Sequence, residues 1–139
     1  MALGRGSRGQ SLVEFALILP VLLALVMGVF DLGRGVLYYN LLAEATREGA
    51  RFAVVHGSLS GSPAGPSPDN EAVAEVVRDH ALNLAADGLI IHSTWPDGNN
   101  NRGSRVRVEA SFEFRPVSLI PLGDATIPLR ASTEMAIAH

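Results

Sequence analysis

Glu14 follows Gly9-Gln10 at G-x4-E spacing and stands between Val13 and Phe15, at the entrance of an apolar run. From Phe15 to Phe30 there are 16 residues without a charge. A carboxylate at such an entrance has two physical readings. In the headgroup zone of a bilayer it costs well under the ~3 kcal/mol scale of a central charge. In a water-poor contact it needs a cationic partner, because an unpaired buried charge is expensive. In both readings its chemistry is charge placement and pairing rather than bond making.

Other clusters have milder readings. Glu44, Arg47, Glu48 and Arg51 are spaced for i,i+3 pairs on a helix, which makes an exposed ion-paired face or a contact surface for other subunits. Asp97, Asn99 and Asn101 mimic the first ligands of a calcium loop. Arg102 occupies the position that requires glycine, and Val108 stands where a closing glutamate belongs. A hairpin turn is expected there, and no metal. His56, His80 and His92 have no ligand spacing and read as structural. With no cysteine there are no disulfides, thiolate zinc sites or cysteine nucleophiles. G-x-S-x-G, P-loop, H-E-x-x-H and GxGxxG motifs are all lacking. The expectation is a protein that is not an enzyme, with no cofactor and no small-molecule substrate. A net charge of −3 gives no basic signal for nucleic acid.

The elements that hold these residues follow from patterning. Hydrophobic residues make up 47% of the 139, and much of the excess lies between Phe15 and Phe30. A bilayer core needs roughly 20 helical residues, and Leu12 to Phe30 approaches that. MALGRGSRG before it holds Arg5 and Arg8 and no acid, whereas Asp31 and Arg34 after it balance. That asymmetry predicts the N-terminus inside and the C-terminus outside. Helical periodicity continues through Tyr38, Leu41, Leu42, Ala45, Gly49 and Phe52. One helix is expected from about Gln10 to about Val55, roughly 70 Å long, locally weakened by Pro20 and four glycines. Pro20 is either a tolerated kink or a hinge that bends the helix as it leaves the bilayer.

Gly57 to Pro68 reads as a loop. Ser67 is placed to cap a second helix with Pro68 at its first position. That helix carries Val73, Val76, Val77, Ala81 and Leu84 and should end near Asp87-Gly88. Leu89 to Trp95 is the first expected strand. Val106 to Phe114 alternates most clearly, and Ile127 to Ile137 gives a third strand, placed at an edge by Pro128. The fold class is α+β: a small three-stranded sheet with one dry face covered by the outer half of the long helix. Leu119, Ile120 and Leu122 either plug the open end of the sheet or touch a partner or the membrane.

Gly9, Gln10, Glu14 and Phe15 resemble a type IV prepilin N-terminus: a short basic leader ending in glycine, then a glutamate at the fifth mature position, then an apolar helix. EFALILPVLL, DLGRGVLYYN and ATREGARFA, in that order, resemble the TadE-like minor pilins, or pseudopilins, of Tad (Flp, type IVc) pili. The resemblance covers nearly the whole chain. It implies residues 1–9 as leader, 10–30 as the transmembrane half of the helix, 31–56 as its outer half, and 57–139 as the head packed on that outer half. It also implies cleavage after Gly9 by a prepilin peptidase and residence in the inner membrane. Its partners would be other Tad/Flp pilins and assembly-platform proteins, with assembly residues Glu14 and Pro20. Gln10 differs from the phenylalanine that many type IV pilins methylate at this position.

Cleavage would free an α-amine on Gln10, with a reference pKa of ~8. Glu14 of one subunit would then pair with the Gln10 amine of a neighbour. The alternative is an uncleaved, membrane-anchored structural or scaffold subunit of an envelope complex. A third is a binding module released by cleavage near Gly28.

Overall fold

The computed structural model describes residues 6–81, 88–123 and 125–138. Helix α1, Gly6–Val55, is 50 residues long, about 75 Å at 1.5 Å per residue. It ends where the periodicity predicts and begins four residues earlier than expected. It continues through Pro20. Two of its glycines serve packing: at Gly35 the Phe114 ring comes to 3.7 Å of where a Cβ would sit, and at Gly49 the side chains of Val73, Val77 and Val108 crowd in.

Helix α2, Glu71–His80, starts later than the Ser67-Pro68 pair suggests. Its cap is Asn70, whose side chain accepts from the backbone N–H groups of Ala72 (3.0 Å) and Val73 (3.3 Å). The reason is a tether to the sheet. Asp69 donates its N–H to the Ser93 carbonyl, and Asn70 donates its own to the Ser93 hydroxyl. Asp69 adopts a φ of 53° to reach it, a conformation that aspartate tolerates better than most residues. The expected extension of α2 through Leu84 to Asp87 lies outside the described residues.

Strands β1 (Ile90–Thr94), β2 (Arg105–Phe114) and β3 (Ile127–Ala136) form an antiparallel sheet in the order β1-β2-β3. β2 is central, and its alternation becomes geometry: Val106, Val108, Ala110, Phe112 and Phe114 are buried, while Arg105, Arg107, Glu109 and Glu113 face outward. Pro128 lies on edge strand β3 opposite Glu113, where a missing N–H is tolerated. The dry face packs on the outer part of α1, against Leu42, Ala45, Ala50 and Ala53, with Val73 and Val77 of α2 closing the side. Small residues on α1 let the helix approach the sheet closely. Tyr38 closes the lower end of this core, its ring edge-on to Phe112 and Phe114 at 5.9 and 5.7 Å.

Candidate assembly and processing surface

The N-terminal stretch of α1 is bare. The most apolar window of the helix has none of its residues buried, and large apolar side chains from Leu12 to Leu37 are exposed. Helix geometry places Gln10 and Glu14 one turn apart on the same face, and the Gln10 amide donates to Glu14 Oε1 at 3.3 Å. Nothing comes within 4 Å of a Cβ built on Gly9, and Phe15 is 61% exposed. Gln10 and Glu14 therefore share one accessible face, while Gly9 and Phe15 are accessible on other sides of the same turns. The Gly9-Gln10 bond lies inside the first turns of α1.

At the other end of the bare stretch the helix meets the head. Asp31 is nearly buried and accepts the backbone N–H groups of Val117 (3.0 Å) and Ser118 (2.6 Å). These are the first two donors of the 3-10 helix Val117–Leu122, whose own N-cap residue, Pro116, supplies no side-chain acceptor. Asp31 thus caps that turn from a different element. Arg34 completes the site: its guanidinium lies 3.3 Å from Asp31 and over the rings of Tyr38 and Phe114, at 5.7 and 5.4 Å. The hydrogen bonds from Ser118, then those from Val117 and the charge of Arg34, hold the Asp31 carboxyl below the usual aspartate range, against an opposing desolvation cost. Sequence reasoning gives Asp31 and Arg34 only as a charge-balanced pair. A carboxylate directly after an apolar span is the signal available, but its partner lies 87 residues away.

The charged quartet divides into two i,i+3 pairs, Arg47–Glu44 at 3.5 Å and Arg51–Glu48 at 3.3 Å. Glu44 and both arginines are well exposed, whereas the Glu48 side chain is about three-quarters buried at 26% exposure. The first pair in particular is free to meet another surface.

The Asp97-Asn99-Asn101 region is a turn with its oxygens engaged in holding the turn itself. Asp97 takes two bonds from the Arg105 guanidinium and one from its backbone N–H, which hold its carboxyl below the usual range. Asn99 Oδ1 accepts from the Asn101 N–H and the Ser104 hydroxyl. Asn100, which the spacing argument passes over, is the buried member. It accepts from Trp95 Nε1 at 3.1 Å and donates to the His56 carbonyl at 3.1 Å, tying this turn to the end of α1. His56 stacks on Phe52, His80 contacts the Val76 carbonyl, and His92 contacts Asp69. Among the described residues no cluster of three or more metal-ligating side chains occurs.

In the last connection Leu119 is half-buried, whereas Ile120 is 65% exposed and plugs nothing. The side chain of Leu122 lies outside the described residues.

Residues 9–51 match the model of a family described as TadE-like protein. That segment contains Gly9, Gln10 and Glu14, the apolar stretch and most of the helix face that carries the head. No curated protein and no solved structure matches the chain. Over residues 9–51, the apolar stretch and most of the helix face that packs on the head, the chain is thus similar to the TadE-like proteins.

Proposed function

We propose that the protein is a minor pilin, or pseudopilin, of Tad pilus biogenesis, cut after Gly9 by a prepilin peptidase and assembled through α1. The TadE-like match supports association with a Tad pilus, and with pilus structure rather than catalysis. The observation that carries the finer reading is the bare stretch of α1: apolar, long enough to cross a membrane, and unpartnered within the chain. Such a surface is stable in lipid or against other helices of its kind, and unstable in water.

In this reading Gly9 supplies the cut site, and Gln10 supplies the new α-amine. Glu14 leaves its Gln10 amide contact to pair with the amine of a neighbouring subunit. Phe15 begins the helix-packing surface, and Pro20 is the hinge. Arg5 and Arg8 fix topology in the inner membrane and leave with the leader, so the 11 basic residues fall to 9 against 14 acids. Glu44, Arg47, Glu48 and Arg51 are the outer contact surface for other pilins and for the assembly platform.

One observation favours a second reading, an uncleaved membrane-anchored scaffold subunit. The Gly9-Gln10 bond is helical, and a peptidase needs the backbone extended. Gly6 and Gly9 make that first turn easy to fray, so processing requires only local unwinding. The deciding measurement is the intact mass of membrane-purified protein co-expressed with its prepilin peptidase, beside Gly9→Ala. Loss of Met1 to Gly9 in the wild type alone supports the pilin. An uncut chain under active peptidase supports the scaffold.

A further inference from the structure

The Val117–Leu122 turn lies at the height of the membrane span. Val117 lines a cleft with Met27 and Phe30, and Ser118 and Leu119 line a groove with Gly28 and Leu32. Asp31 fixes this height through its bonds to the Val117 and Ser118 N–H groups. If α1 crosses a bilayer from Leu12, roughly 20 residues of helix bring the outer hydrocarbon boundary to the same level. The turn therefore meets that boundary beside the helix.

Its chemistry suits the place. Val117, Ile120 and Ile127 are 40%, 65% and 46% exposed; Ile127 lines the groove with Leu32 and Val36, and Val117 the cleft with Met27 and Phe30. Tyr39, 49% exposed, stands at the top of the groove, where interfacial aromatic residues sit. A short 3-10 turn approaches hydrocarbon only if its backbone polar groups are satisfied. Asp31 takes the first two N–H groups, and the Ile120 carbonyl accepts from Gly123. Arg34 neutralises the Asp31 charge within the same cluster.

We propose that the Val117–Leu122 turn and the groove beside Leu32 and Val36 are seated in the lipid of the membrane that α1 crosses, so that the head rests on the bilayer by a second contact. The inference rests on the span reading of α1. The bilayer is the occupant because the groove opens on the span itself and shares its depth. A monotopic apolar contact of this kind reaches ~5–10 Å into the headgroup and acyl boundary.

The chain contains no cysteine, so single-site labelling is direct. Ile120→Cys, Leu25→Cys and Ser132→Cys variants of the full chain would carry an environment-sensitive fluorophore. They would be placed one per nanodisc of phosphatidylethanolamine and phosphatidylglycerol containing nitroxide lipids. Unchanged Trp95 emission shows that each variant keeps its fold. The Ile120 label is expected to lose fluorescence to a shallow nitroxide more than to a deep one, the Leu25 label to lose it to the deep one, and the Ser132 label to lose none. An Ile120 label as unquenched as Ser132, with Leu25 quenched, overturns the proposal while leaving the span intact. An unquenched Leu25 label overturns the span reading and the proposal with it. If the Ile120 label is unquenched alone and blue-shifts only when several copies share a disc, a second copy is the occupant and the lipid contact is refuted.

Discussion

The backbone N–H of Ser118 donates to Oδ2 of Asp31 at 2.6 Å, joining the residue directly after the apolar run to a turn 87 positions later. With the Val117 bond, it makes Asp31 the link between the anchor and the last part of the head. Because these bonds and Arg34 lower the folded pKa of Asp31, the unfolded chain holds more protons between the folded value and the ordinary 3.8. The stability that Asp31 contributes is fully present above the ordinary value and is lost as pH falls through the lower one. Thermal unfolding in detergent should show Asp31→Asn melting below wild type at pH 7. The gap should narrow as pH falls into that window. A constant gap would assign the loss to shape rather than charge.

Gly49 and Val77 form a second tight relationship. A Cβ at Gly49 overlaps Val77 Cγ2, and Val108 Cγ1 lies 3.5 Å from it. Valine has little rotamer freedom with which to retreat. Gly49→Ala should cost about 1–3 kcal/mol through overpacking. In a Val77→Ala background the same change should become neutral or gain up to about 1 kcal/mol from helix propensity. Chemical denaturation of the four proteins of this cycle reads the coupling directly.

Asn100→Ala should cost about 1–3 kcal/mol for each buried partner left unsatisfied, namely the Trp95 indole N–H and the His56 carbonyl. The chain has a single tryptophan. Its emission therefore reports the same site, and a red shift should accompany the loss of stability.

If the chain is processed and assembled as proposed, Glu14→Gln should leave the loss of residues 1–9 intact, since Gly9 is untouched, while co-purification of Tad pilins and piliation fall. Intact piliation with Glu14→Gln would end the charge-pairing account of this residue.

Arg47→Glu combined with Arg51→Glu should change stability by no more than about 1 kcal/mol, the usual scale of exposed i,i+3 pairs. If this face contacts other subunits, the double reversal should weaken their recruitment at unchanged melting temperature. Equal recruitment would mark it as a solvated face.

The long helix was legible in the sequence because its signals are local: an uncharged run, then small and apolar residues at helical spacing up to Phe52. The β2 strand was legible for the same reason, since period-two alternation from Val106 to Phe114 requires no knowledge of a partner. The Gly9–Glu14 spacing was equally plain, and the matched family model spans it. What tertiary structure alone decided are contacts between residues distant in the chain. The order β1-β2-β3, the tether of Asn70 to Ser93, the Asn100 bridge from Trp95 to His56 and the Asp31 cap on Val117–Ser118 all join separate elements. Periodicity tells which face of an element is dry. It does not tell which distant backbone N–H will seek an acceptor, because that depends on where packing brings the elements together.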